Sequence, residues 1–99
     1  MGQSLYEKIW ARHAIAQGAG ERSLLYVDRH LMHDGSFHAF SALQATGRKL
    51  RRPDACFATP DHYVPTRNRA AGIAGIADAT VRDRLERLES NARTHGVTL

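Results

Sequence analysis

The chain has 99 residues, 42% of them hydrophobic, with 14 Lys and Arg against 10 Asp and Glu for a formal charge of +4. That is enough for one small domain with a modest core, and too apolar for wholesale disorder. It contains no apolar run near the roughly 20 residues that span a bilayer, no basic-then-apolar leader, and a single cysteine, Cys56, which fits a soluble protein of the reducing cytoplasm.

Residues 4–17 read as the first helix. Ser4 and Glu7 have the spacing of a capping box, in which each side chain satisfies a backbone amide at the helix start. Leu5 and Ile9, then Tyr6 and Trp10, recur four apart, as core-facing side chains do. Gly18 and Gly20 are expected to end this helix. Leu24-Leu25-Tyr26-Val27-Asp28 reads as a short buried strand at 24–28. Asp34-Gly35 turns the chain. Ser36 is expected to cap a second helix over 37–46, with Phe37, Phe40 and Leu43 toward the core and Gly47 closing it. Arg48-Lys49-Leu50-Arg51-Arg52 reads as a solvated turn.

A second strand is expected at 56–59. Pro60 and Pro65 then bracket a stiff loop over 60–66, because proline fixes its own φ and biases its neighbour toward extended geometry. Residues 67–77 carry little pattern and read as a mobile stretch. Asp78 opens an amphipathic helix over 79–95, with Val81, Leu85, Leu88 and Ala92 on one stripe and Gly96 at its end. The order αβαβα predicts an α/β unit.

Asp61-His62 is the leading chemical candidate. Its loop follows a strand, and a histidine near its neutral pKa can give or take a proton. From spacing alone the pair also fits an Asp-capped turn beside an exposed His. His30 and His33 can share a metal only if their segment is helical. Neither a zinc-protease pattern nor a Cys/His finger is present, so no metal site is expected. His13, His38 and His95 are expected on helix surfaces in bland roles.

These residues together resemble the large subunits of 3-isopropylmalate dehydratases, in the aconitase superfamily. Ser4-Leu5-Tyr6-Glu7-Lys8-Ile9-Trp10 resembles the family's first helix. Leu24 through Asp34 resembles a segment that commonly reads LLYIDRHLVHE. Phe57-Ala58-Thr59-Pro60-Asp61-His62-Tyr63-Val64-Pro65-Thr66 resembles its FATxDHNVPT signature, with Tyr63 where the signature carries Asn. The match is in order over nearly the whole chain.

The resemblance implies the N-terminal αβαβα portion of an aconitase-like three-layer α/β/α domain, incomplete, with residues 1–99 as one partial domain. It implies a hydro-lyase that interconverts 2-isopropylmalate and 3-isopropylmalate by dehydration and rehydration in leucine biosynthesis. Asp61 and His62 fall on the family's catalytic pair, with His62 donating a proton to the leaving hydroxyl and Asp61 sustaining its charge. His33 falls where the superfamily places a contact to a substrate carboxylate. The family's [4Fe-4S] cluster acts as Lewis acid on cysteines lying downstream in longer relatives, and none is expected on this chain alone, since a lone thiol cannot hold such a cluster. The expected partners are the remainder of the large subunit, the small subunit and a carboxylate substrate, and the isolated chain is expected to be inactive and to expose apolar surface. A stand-alone carboxylate-binding or assembly module and a basic nucleic-acid-binding domain are the alternatives.

Overall fold

The computed structural model describes all 99 residues. The first helix, α1, covers Leu5–His13 and opens on the expected capping box: Ser4 Oγ accepts from the Glu7 amide, and the Glu7 carboxylate accepts from the Ser4 amide at 2.7 Å. The Ser4 amide first, and the Ser4 hydroxyl donating to the same oxygen at 2.9 Å second, hold the Glu7 carboxyl below its ordinary pKa. The helix ends at His13, four residues short of the expected 17. Residues Ala14–Gln17 instead form β1, antiparallel to β2, Ser23–Leu25. Pairing with β2 supplies the backbone bonds that a further helical turn would have made, and that tertiary gain overrides weak local propensity. Gly18 and Gly20 belong to the hairpin turn, closed by the Gly18 amide donating to the Arg22 carbonyl at 2.8 Å, with Gly20 at φ +80.

The buried strand expected at 24–28 is likewise corrected. Only Ser23–Leu25 is strand, and it lies at the surface, with Val27 73% exposed just beyond it. The cause is topological: β2 pairs with β1 alone, in a two-stranded sheet separate from the β3–β4 pair. Tyr6 and Trp10 do not enter the core either. They stack on each other with centroids 5.9 Å apart, and Tyr6 is 69% exposed. Together with Ile9, Leu25, Tyr26 and Val27 they line an open apolar groove of about 320 Å³.

The core is elsewhere. β3, His30–Met32, pairs in parallel with β4, Cys56–Ala58, in the register His30 to Cys56, Leu31 to Phe57 and Met32 to Ala58. A parallel pair needs a crossover, and α2, Phe37–Thr46, lies within it. Gly47, at φ +64, terminates α2 with a left-handed residue that costs glycine little. The closing helix α3, Ala79–His95, is capped by Asp78 accepting from the Val81 amide at 3.1 Å. After Gly96 the chain returns to β4, where the Ala58 amide donates to the Thr98 carbonyl at 2.7 Å. Met32, Phe40, Cys56, Ala58, Leu88, Ala92 and Val97 form one cluster, with Leu43 and Leu50 packed on its edge. Residues 67–77, expected to be patternless, hold two 3₁₀ turns, Arg69–Ala71 and Ile73–Gly75, and bury Ile76. The architecture is α/β, and no helix is long and apolar enough to cross a membrane.

Two measures show how much surface this core leaves uncovered. The accessible area is 8083 Å², where a compact protein of 11.0 kDa exposes about 5,600 Å². The radius of gyration is 18.0 Å, against about 13 Å for a compact 100-residue domain. The excess is explained by α1 and the hairpin, which extend from the core with no buried residue in α1.

His13 fastens α1 to the segment after the hairpin. Its Nδ1 donates to the Ile9 carbonyl at 2.6 Å and its Nε2 lies 3.2 Å from Asp28 Oδ1. Both ring nitrogens face acceptors, so the imidazolium is favoured. The Ile9 carbonyl first, and Asp28 second, raise His13 above its ordinary value of 6.5, while His13 holds Asp28 below 3.8. His95 is not bland either: its ring packs on Phe40 at 4.9 Å.

Two outcomes are expected. Phe40→Ala should lower stability in urea unfolding by about 3–5 kcal/mol, whereas Ile9→Ala on the open face of α1 should change it by no more than about 0.5 kcal/mol. Equal losses would contradict the division between core and extension. The His13–Asp28 contact should be strongest between the lowered Asp28 value and the raised His13 value. Its stabilisation is full below pH 6.5 on the histidine side and fades as pH rises through the elevated value. On the carboxylate side it is full above 3.8 and fades as pH falls through the lowered value. By NMR titration the His13 midpoint should fall in Asp28→Asn, which takes away the contribution of that carboxylate; an unmoved midpoint would remove Asp28 from the account.

Candidate functional site

Two loops leave the carboxyl ends of β3 and β4, and the parallel register sets them side by side. The last backbone bond of the pair runs from the Thr59 amide to the Met32 carbonyl at 3.0 Å. One residue beyond Met32 stands His33, and two beyond Thr59 stands Asp61. The carboxyl edge of parallel strands is where α/β folds commonly bind ligands.

His33 precedes the 3₁₀ turn Asp34–Ser36. Its Nδ1 accepts from the Gly35 amide at 3.0 Å, and its own amide donates to Ser36 Oγ at 3.3 Å. Ser36, expected to cap α2 with its side chain, makes no such bond and closes this box instead. Because Nδ1 accepts, the neutral His33 ring carries its proton on Nε2 and presents an N–H donor outward.

His62 is fixed in the opposite sense. Asp61 and Val64 are joined as a β-turn by the Val64 amide donating to the Asp61 carbonyl at 3.3 Å. The turn folds the two neighbouring side chains together, and His62 Nδ1 donates to Asp61 Oδ2 at 2.7 Å. The neutral ring therefore keeps Nε2 free to accept a proton, and the doubly protonated ring carries a donor there. Both side chains are open, 62% exposed for His62 and 52% for Asp61. The His33 and His62 rings lie 6.1 Å apart, tilted by 57°. One face thus holds two imidazoles whose outward nitrogens differ in role.

Sequence reasoning missed two contributors. The local pattern marks Asp34 only as a turn residue, yet it is buried, and its Oδ1 accepts from the Asp61 amide at 3.0 Å. Tyr63 packs on His62 at 4.7 Å and lies under the Arg84 guanidinium at 5.1 Å. Nothing in the local pattern marks the Asp34–Asp61 or the Tyr63–Arg84 contact, since each joins segments more than 20 residues apart. His30 begins β3 at the surface and is not part of this face.

Cys56 cannot serve a metal cluster here. It is buried in the core, and its thiol donates to the Arg52 carbonyl at 3.4 Å. No group of three or more His, Cys, Asp or Glu side chains is arranged to hold a metal ion. The donor set of this chain does not fit an iron–sulfur cluster, which takes several thiolates.

The sequence that builds these facing loops matches the Aconitase family (aconitate hydratase) over residues 7–99. The chain belongs to that family. Among its relatives it is 46% identical to the 3-isopropylmalate dehydratase large subunits of Listeria monocytogenes serotype 4a (strain HCC23) and Listeria innocua serovar 6a (strain ATCC BAA-680 / CLIP 11262). It is 44% identical to that of Staphylococcus haemolyticus (strain JCSC1435). Each match takes in 100% of this chain and 21% of the relative, so the chain spans about a fifth of their length. No solved structure matches.

Gly35 leaves room for the His33 ring: a Cβ there would lie 2.7 Å from His33 Cε1. Gly35→Ala should displace the imidazole and release the Nδ1 cap, read as a shift of the His33 ring resonances and loss of contact with His62. Unchanged resonances would show that the ring does not need this space.

Proposed function

We propose that this chain supplies the proton-donating wall of a 3-isopropylmalate dehydratase site, as the corresponding part of a large subunit. The observation that carries the reading is the 2.7 Å bond from His62 Nδ1 to Asp61 on an open face shared with His33.

In the dehydration direction, the His62 imidazolium gives its Nε2 proton to the hydroxyl oxygen of 2-isopropylmalate as the C–O bond breaks, and water leaves. Asp61 lowers the cost of the charged ring before transfer and fixes which nitrogen reacts. His33 Nε2–H donates to a substrate carboxylate, orienting the molecule so that its hydroxyl meets His62. The double bond forms when a base removes the proton from the neighbouring carbon. That base belongs to the small subunit, and the reverse sequence hydrates the alkene to 3-isopropylmalate.

The thiolates for a [4Fe-4S] cluster belong to the remainder of the large subunit, which also covers the apolar face of α1 and the hairpin. That these relatives are large subunits supports a heteromeric enzyme. In this reading the chain acts in leucine biosynthesis only when that assembly is complete.

The isolated chain, treated anaerobically with iron and sulfide, should give no turnover of 2-isopropylmalate. Measurable turnover would overturn the proposal that it is one part of a divided site. In an assembled dehydratase that carries this segment, His62→Asn should lower kcat by about 10²–10⁴-fold, the usual range for positioned proton transfer, while His33→Ala should act mainly on KM. An unchanged kcat in His62→Asn would remove the proton-donor role.

A further inference from the structure

We propose that Asp34 is a positioning residue: its buried carboxylate holds the Asp61–His62 turn against the His33 turn through the backbone amide of Asp61. The assignment deepens the proton-donor reading of His62 and rests on it for its functional meaning.

Asp34 is the one buried polar or charged side chain in the molecule, 4% exposed. A carboxylate taken out of water is costly unless hydrogen bonds replace those it gives up. A bland role is available to it, because it occupies the first position of a 3₁₀ turn, where acidic residues cap the free amides. His33 already fills that role, accepting from the Gly35 amide. Asp34 reaches away from its own turn and accepts from the Asp61 amide at 3.0 Å, 27 residues along the chain.

The place of that bond matters. The strand ladder ends where the Thr59 amide meets the Met32 carbonyl. Beyond it, the Asp34–Asp61 bond is the only hydrogen bond joining the two loops. Asp61 therefore has a divided task. Its amide is anchored by Asp34, and its carboxylate anchors His62. A shift of the Asp61 backbone would carry the His62 ring with it and change the 6.1 Å spacing to His33.

The test uses the 99-residue chain and compares Asp34→Ala with Asp34→Asn, whose side-chain carbonyl can still accept from the Asp61 amide. In the wild-type chain the Asp61 amide should be protected from hydrogen exchange, and ring-to-ring NOEs should connect His33 with His62. Asp34→Ala should abolish both while amides of α3 stay protected, and Asp34→Asn should restore both. A wild-type Asp61 amide exchanging as fast as an unbonded one overturns the proposal without any variant, which covers the case in which Asp34→Ala fails to fold. So does persistence of the ring contacts in a folded Asp34→Ala chain. In an assembled dehydratase, Asp34→Ala should lower kcat by roughly tenfold or more with little change in KM, as expected for misplacement of a reacting group, and Asp34→Asn should recover most of it. If His62→Asn leaves turnover intact while Asp34→Ala still frees the Asp61 amide, the proton-donor reading fails and the positioning assignment stands.

Discussion

The parallel pairing of β3 with β4 is the constraint on which the site depends. Three residue pairs in register, and one further backbone bond at Thr59, bring together loops that are about 30 residues apart in sequence. Parallel register is what makes the arrangement possible. Both strands end at the same edge, so the residues that follow them emerge side by side. Met32, Cys56 and Ala58 of the two strands sit in the same cluster as Phe40 of α2 and Leu88 and Ala92 of α3. The packing that stabilises the pair therefore also fixes the spacing of the imidazoles.

The two histidines show how local hydrogen bonds assign chemical roles to identical side chains. His33 accepts from an amide, and His62 donates to a carboxylate. Each contact uses the ring nitrogen nearer the backbone and leaves the distal one outward, but with opposite proton occupancy in the neutral rings. A site that must hold a carboxylate and also move a proton can use that difference. Neither ring is enclosed, and the face they share is open to solvent.

The same incompleteness governs α1 and the hairpin. An amphipathic helix and a two-stranded ribbon rarely persist in water without a covering layer. Here the capping box, the Tyr6–Trp10 stack and the His13–Asp28 contact organise the extension locally, while its apolar side chains stay open. An exposed apolar face of this extent is the mark of a surface built to be covered. The accessible area is well above that of a compact chain of this mass.

What the sequence determined by itself is local. The capping box at Ser4, the span of α2, the Leu85–Leu88–Ala92 stripe of α3 and its stop at Gly96 follow from short-range pattern and side-chain chemistry, and the ordered segments Ser4–Trp10, Leu24–Asp34 and Phe57–Thr66 carry the family resemblance. What only the tertiary structure decided is which apolar residues are covered and which polar ones meet. Leu24–Leu25 and Phe57–Ala58 look alike as short apolar runs, yet the first is open and the second is largely enclosed, because only the second has helices packed over it. The end of α1 was set by a strand partner ten residues on, and Asp34 became an anchor through an amide 27 residues away. Periodicity reports a residue's neighbours along the chain. Burial and long-range hydrogen bonds depend on neighbours in space, and those exist only once the strands have paired.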